Sequence, residues 1–299
     1  MRSPRDRALE EAIAQATGES FELRSVEPVG GGCIHTALRL EGDTPARSQV
    51  FFGKVNTADR DAMFASEADG LAALRDTGSI AVPRVIAQGA DGDASWLVLE
   101  WLDLAPLDSR SGAALGAALA RLHRPRLERF GWARDNFIGA TPQANGWSDD
   151  WLAFWRDRRL HPQLRLAARN RLPSKLIDRG ERLVADCGAF FRTYRPQPSL
   201  LHGDLWGGNA SAARGAPVAF DPAVYVGDRE ADLAMTELFG GFPREMLAAY
   251  SADFPPDDGY TVRRDLYNVY HVLNHANLFS GGYVSQAARL VERLLAEIG

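Results

Sequence analysis

The chain has 299 residues, 45% of them hydrophobic and 24% charged, with a formal net charge of -5, the proportions of a soluble globular protein built as one large or two closely packed domains. That acidic balance, with a pI near 5.7, gives no general attraction to a nucleic-acid backbone or to anionic lipid, so neither partner is expected. Residues 1–18 lack the apolar core of a secretory signal and no run approaches a membrane span, so the cytoplasm is the expected location, while two cysteines, Cys33 and Cys187, support neither a disulfide framework nor a zinc site.

Apolar spacing at Leu9, Ile13 and Ala16 predicts a helix over 6–16, stopped by Gly18. Extended patterns over 21–29 and 36–40 flank Gly30-Gly31-Gly32 and predict a hairpin with a glycine-rich tip. Backbone N–H groups of such a tip suit an anion; a plain turn explains three glycines nearly as well, and their place between the first two strands is what points them to phosphate. Residues 49–55 form a third strand carrying Lys54. Only two of the 34 Lys and Arg residues are lysine. An ammonium kept in the apolar run Val50-Phe51-Phe52-Gly53-Lys54-Val55 therefore implies a compact charge with anionic partners.

Thr57 is the expected N-cap of a helix reaching about Thr77, with Asp59 and Asp61 in its first turn. Along it Met63, Glu67, Leu71 and Leu74 share one face. Glu67 thus interrupts an apolar stripe and needs a cation, for which Lys54 is the candidate. Asp69, on the opposite face, is expected in solvent. Strands over 82–87 and 96–101 complete a set of five, and position alone makes Glu100, Trp101 and Leu102 the hinge that would offer backbone groups to adenine.

From Asp108 onward helical patterns dominate, over 111–123, 147–168, 174–194 and 260–279. The change near Leu102 predicts an N-terminal nucleotide-binding lobe over 1–101 and a mainly helical lobe over 102–299. The expected class is α+β: a bilobal, protein-kinase-like fold with an antiparallel sheet and one helix in the first lobe.

The most specific string is Leu200-Leu201-His202-Gly203-Asp204-Leu205-Trp206-Gly207-Gly208-Asn209. It satisfies H-x-D-x-x-x-x-N, in which Asp accepts the proton of an attacking hydroxyl and Asn holds magnesium. His202 is expected to fix the loop by packing and is also carried as a substrate contact. Downstream, Val218-Ala219-Phe220-Asp221-Pro222 is an apolar strand ending in a carboxylate suited to the second magnesium position. Pro222-Ala223 replaces the glycine of D-F-G, which makes a movable activation segment less expected. Asp228 and Asp232 either tie this stretch to the catalytic loop or are the acids of a helix N-terminus; Asp228 is additionally a candidate substrate contact. No G-x-x-x-x-G-K-[ST] is present, which removes the P-loop enzymes.

Together these parts point to an ATP- and magnesium-dependent kinase, and the chain resembles the fructosamine kinase family, relatives of the aminoglycoside and choline kinases. The resemblance rests on His202-Gly203-Asp204-Leu205-Trp206 with Gly208-Asn209, on Asn136-Phe137-Ile138-Gly139 with Thr141-Pro142-Gln143, and on Trp147, Asp150-Trp151, Arg158-Arg159-Leu160 and Gln163. Leu273-Asn274-His275 with Asn277-Leu278-Phe279 continues it. It implies phosphorylation of the 3-hydroxyl of a ketosamine, a fructosamine or ribulosamine on a free amine or a protein lysine, leading to deglycation by a monomer or homodimer. Under it Asp204 would be the base, Asn209 and Asp221 the magnesium ligands, Lys54 with Glu67 the phosphate clamp, and Trp206 a wall of the sugar pocket. For Trp206, Trp147 and Trp151 a core role is the competing reading. Cys33, in the glycine-rich loop, is the candidate redox-sensitive thiol. The alternatives are a related kinase acting on an aminoglycoside, choline, homoserine or methylthioribose, and a pseudokinase, against which the complete set of polar residues argues.

Overall fold

The computed structural model of the chain describes residues 3–30 and 34–298. Helix α1 (Pro4–Thr17) is capped by Ser3, whose Oγ accepts from the Asp6 backbone N–H at 3.1 Å, and Gly18 at φ 73° ends it in the left-handed conformation. Strands β1 (Glu22–Pro28), β2 (Thr36–Asp43), β3 (Ser48–Thr57), β4 (Val85–Asp91) and β5 (Ala94–Glu100) pair antiparallel in the order β1-β2-β3-β5-β4. Helix α2 (Asp61–Asp76) lies between β3 and β4 in sequence.

The period-two pleat sorts the side chains of this sheet into two cores. Trp96 and Val98 of β5, with Phe51 and Val55 of β3, pack against Leu9 and Ile13 of α1. Leu97 and Leu99 meet Phe64, Leu71 and Leu74 of α2 on the other side. Lys54 pairs with Leu97 in the β3–β5 register, so the alternation sends its ammonium to the α2 side. Thr57 does not cap α2 as expected. Its hydroxyl bonds to Asn56 and Asp59, a 3-10 turn over Ala58–Arg60 intervenes, and the α-helix begins at Asp61.

The remainder is mainly helical: β6 (Leu104–Ala105), α3 (Ser109–His123), the hairpin β7 (Asn136–Ile138) and β8 (Thr141–Gln143), α4 (Trp151–Trp155), α5 (His161–Arg169), α6 (Ser174–Asp186), β9 (Pro198–Leu201), β10 (Ala210–Ala213), β11 (Ala216–Ala219), β12 (Tyr225–Asp228), α7 (Arg229–Leu238), α8 (Arg244–Asp253), α9 (Tyr260–Phe279) and α10 (Gly282–Ile298). Strands β9 and β12 pair antiparallel, and β10 lies between β11 and β6. Among the described residues no helix is long and apolar enough to cross a membrane.

Two expected helices are interrupted. Residues 147–168 become α4, a π-helical turn over Arg156–Leu160, and α5. Ser148 is engaged in a bridge to Phe130, Asp150 caps α4 through the Ala153 N–H at 2.6 Å, and the π turn carries Arg159 into the core at 0% exposure. The helix expected over 174–194 ends at Asp186 and gives way to a 3-10 turn, Cys187–Phe191. Cys187 lies buried there, its thiol pushed up to about 12 by burial.

The middle of α9 is buried all round, and His271 within it has a ring Nδ1 with no partner among the described residues. Burial, followed by the neighbouring His275, pushes its pKa down to about 3. A folded-state pKa below the unfolded value stabilises the fold above pH 6.5, and that stability is lost as pH falls toward 3. Unfolding free energy should therefore drop by roughly 2 kcal/mol between pH 7 and pH 5 through this residue alone. Denaturant titrations of the wild type and His271→Gln at both pH values measure it; parallel pH dependences of the two proteins would refute it.

Candidate active site

The segment joining β9 to β10 carries Asp204, and its geometry follows from three anchors. Asp232 of α7 accepts the backbone N–H groups of His202 at 2.7 Å and Gly203 at 2.8 Å, while His123 of α3 lies 3.2 Å from the same carboxylate. His202, fully buried, sits with Nε2 3.1 Å from the Phe220 carbonyl. A carbonyl only accepts, so Nε2 carries the proton and Nδ1 takes the Asp204 N–H at 3.3 Å. The third anchor is Gly203 at φ 81°: a Cβ there would lie 2.1 Å from the Ala223 carbonyl oxygen, so the two backbones touch.

Four polar groups meet beside this segment. Lys54 Nζ donates to Glu67 at 2.6 Å and to Asp221 at 2.7 Å. Asn209 Nδ2 reaches the Asp204 carbonyl at 2.9 Å, the Asp204 carboxylate at 3.3 Å and the Asp221 carbonyl at 3.4 Å. Burial alone would lower the pKa of Lys54, but the charges of Glu67 and Asp221 outweigh it and hold the ammonium protonated. Burial pushes the Glu67 carboxyl up against the pull of Lys54. Burial, with the charge of Asp221 adding to it, pushes Asp204 up to about 7, so a proton leaving a hydroxyl can be taken up there.

Asn209 and Asp221 could hold a magnesium ion, and their donors fit one. Asn209 commits its NH2 to Asp204 and Asp221, which leaves Oδ1 as a hard oxygen donor; the Asp221 side chain is 45% exposed. Magnesium is typically bound by one or two protein oxygens with phosphates and water completing the shell. Among the described residues no larger cluster of His, Cys, Asp or Glu gathers, and such a shell needs none.

The remaining expected residues separate into those at this centre and those away from it. Glu100 accepts the Arg84 N–H at 2.8 Å and so joins β5 to the lead-in of β4. Trp101 and Leu102 follow it half-buried, with Trp101 Nε1 bonded to Asp103. Gly30 is an exposed bend; Gly31, Gly32 and Cys33 lie outside the described residues, and with them the thiol expected to be redox-sensitive. The descending leg of that loop is pinned by Asn56, whose Nδ2 lies 2.9 Å from both the Ile34 carbonyl and His35 Nδ1.

His202 and Asp228 are corrected as substrate contacts. Both have 0% exposure; Asp228 caps α7 and accepts the hydroxyls of Tyr194 and Tyr267 at 2.9 and 2.5 Å. The two readings of the acidic stretch thus divide, with Asp228 as the helix cap and Asp232 as the tie to the catalytic loop. Asp69 is not free in solvent either, since Trp132 Nε1 donates to it at 2.8 Å.

Beyond Trp206, sequence reasoning missed the aromatic wall beside the loop. The Trp206 ring folds over Gly208 and lies 6.2 Å from Phe239, which is 4.8 Å from His275 and 6.3 Å from Tyr283; His275 is 5.7 Å from Phe279. Trp206 and Phe279 are 39% and 53% exposed. His275 Nδ1 donates to the His271 carbonyl at 2.8 Å, and burial keeps the ring neutral, so Nε2 is a lone-pair acceptor on this wall. Its members come from the ends of three helices, and only the helical spacing of His275, Phe279 and Tyr283 could have hinted at it. Of the other tryptophans, Trp151 is core and Trp147 is exposed.

The chain is similar to known proteins along almost its whole length. The model of the family described as fructosamine kinase matches residues 6–297. A Synechocystis protein named "Probable ketoamine kinase" is 43% identical over 95% of this chain and 94% of its own. The chloroplastic protein-ribulosamine 3-kinase of Arabidopsis thaliana is 38% identical over 93% and 85%. The crystal structure titled a putative fructosamine-3-kinase of Haemophilus somnus superposes with a TM-score of 0.88 at 29% identity, covering 96% of both chains.

Proposed function

The chain belongs to the fructosamine kinase family, and from that premise we propose that it transfers the γ-phosphoryl group of ATP to the 3-hydroxyl of a ketosamine. Lys54, held by Glu67, would neutralise phosphate charge, and Asn209 with Asp221 would hold magnesium. When bound, that ion offsets the negative charge between the transferring and leaving phosphates. Asp204 would orient the acceptor hydroxyl and take its proton as the oxygen bonds to the γ-phosphorus and the bond to the β-phosphate oxygen breaks, leaving ADP. The convergence of Lys54, Glu67, Asp221, Asn209 and Asp204 on one centre is the observation that carries this reading.

A phosphate on carbon 3 lies next to the ketone carbon, where enolisation toward carbon 1 expels it. Phosphorylation at this hydroxyl therefore destabilises the sugar adduct and ends in release of the amine. The names of the Arabidopsis and Haemophilus relatives specify this position. Incubating the purified protein with ATP, magnesium and a panel of fructosamines, ribulosamines, an aminoglycoside, choline and homoserine tests the proposal. ADP formation with ketosamines and a new phosphorus coupling to the proton on carbon 3 are the expected results; turnover with a non-ketosamine alone would refute the proposal.

In this scheme the indole of Trp206 covers one face of the sugar, and His275 Nε2 accepts from the substrate. Trp206→Ala should raise KM for the ketosamine about 10-fold, the equivalent of ~1.4 kcal/mol of lost ring contact, with KM for ATP unchanged. Steady-state kinetics with each substrate varied separately measure the split.

A further inference from the structure

The stretch Asn136-Phe137-Ile138-Gly139 with Thr141-Pro142-Gln143 touches none of the four polar groups at the catalytic centre, yet it is buried where loops seldom are. Asn136, Gln143 and Asn145 are 5%, 2% and 1% exposed, and their amides close on one another. Gln143 Nε2 and Asn145 Nδ2 both donate to Asn136 Oδ1, at 2.8 and 2.9 Å. Tyr270 donates to Gln143 Oε1 at 2.7 Å, and Arg159 to Asn145 Oδ1 at 2.8 Å and to the Ala144 carbonyl at 2.6 Å. The Arg159 guanidinium has no carboxylate partner among the described residues and lies 4.0 Å over the Tyr225 ring. Arg159 Nε and Thr141 Oγ1 find no partner among the described residues, but the amides of Asn136, Gln143 and Asn145 are engaged with one another, which favours a single geometry.

That geometry is aimed at the backbone just after Asp221. Asn136 Nδ2 donates to the Val224 carbonyl at 2.7 Å, Gln143 Nε2 to the Ala223 carbonyl at 3.2 Å, and the Ala223 N–H goes to His202 at 2.9 Å. Asp221 itself is held at φ 57°, a conformation that costs a non-glycine residue energy and persists only where its surroundings impose it. The other end of the same strap reaches α2. Trp132 Nε1 bonds Asp69, two residues from Glu67, and Gly70 lies so close to Val224 and Pro222 that a Cβ would stand 2.8 and 3.3 Å from their side chains.

We propose that the strap over 130–146 is an internal clamp that holds both the Asp221 segment and helix α2 in the ATP-competent arrangement, with Trp132, Asn136 and Gln143 as positioning residues. In protein kinases the Lys–Glu pair and the metal-binding Asp must both be in place, and activation-segment phosphorylation controls this. Here Pro222-Ala223 follows the Asp, and the strap supplies the hold permanently. Glu67 and Asp221 meet on Lys54 because one strap holds the backbone after Asp221 through Asn136 and Gln143 and the Asp69 side chain of α2 through Trp132.

Two variant series test the clamp, and only their kinetic arm rests on the proposed reaction. Gln143→Leu should speed amide hydrogen exchange over 223–226 in the nucleotide-free protein and shrink the thermal shift produced by magnesium and ADP. It should lower kcat/KM for ATP by about 10- to 100-fold, with KM for the acceptor within roughly twofold of wild type. Trp132→Phe and Asp69→Ala, which sever the other anchor without touching the buried amides, should give the same split, and Asp69→Asn, which keeps an oxygen for Trp132, should restore it. If Gln143→Leu does not fold, the Trp132 and Asp69 variants decide alone. Folded variants with unchanged exchange and unchanged nucleotide shift would overturn the clamp, as would equal losses in all kinetic constants that track Tm. A protein inactive on every ketosamine would leave the exchange and nucleotide-shift readouts intact, so the two ideas fail separately.

Discussion

Replacing Asp204 by asparagine is expected to cut kcat by about 10³-fold while ATP and ketosamine still bind, because the substitution keeps the shape and the hydrogen-bond acceptor and removes only the capacity to take a proton. Asn209 Nδ2 would still find the carbonyl of residue 204 at 2.9 Å and an amide oxygen near its present carboxylate partner. The loop is anchored by Asp232 and His202 through backbone atoms, so its path does not depend on the charge at 204. Stability should not fall, since a half-buried carboxylate close to Asp221 is exchanged for a neutral group. Thermal melts then separate chemistry from unfolding. Undiminished single-turnover phosphorylation by this variant would remove Asp204 from the role of base and revive a binding-only protein or a different catalytic group.

What the sequence made legible was local. The catalytic string is ten consecutive residues, and its polar side chains meet because a tight loop between β9 and β10 leaves them little choice. Lys54 and Glu67 were equally readable, since alternation on a strand and a 3.6-residue helical repeat each assign a face, and both faces had to meet over the same core. The five-stranded sheet followed from the same periodicities. What stayed hidden depended on partners far along the chain. Asp69 sits on the face expected for solvent, and its indole partner is 63 residues away. Asp228 has the residue type and position of a substrate contact, but Tyr194 and Tyr267, 34 and 39 residues away, bury it. The break in the helix over 147–168 is only partly of that kind: Pro162 removes one helical N–H locally, while the π turn places Arg159 among Phe154 and the distant Tyr225 and Tyr270.

The Lys54–Glu67 pair offers the second large effect and separates stability from function. Lys54→Met should lower kcat/KM for ATP by about 10²- to 10³-fold, because a fixed cation aimed at phosphate contributes where charge develops during transfer. It should also destabilise the fold, since Glu67 would be left with its side chain 12% exposed and no cation. Breaking a fully buried pair typically costs ~3–5 kcal/mol. About 2 kcal/mol is expected here, because the second partner, Asp221, is 45% exposed and water can solvate it. Adding Glu67→Leu to Lys54→Met removes the stranded carboxylate and extends the apolar stripe of Met63, Leu71 and Leu74, all buried. The double variant should therefore recover wild-type Tm or exceed it while remaining as inactive as Lys54→Met. That outcome would mean the pair persists because phosphate must be met by a positioned ammonium, a requirement that folding alone does not impose. Recovery of activity along with stability in the double variant would show instead that Lys54 acts only by holding α2 against the sheet.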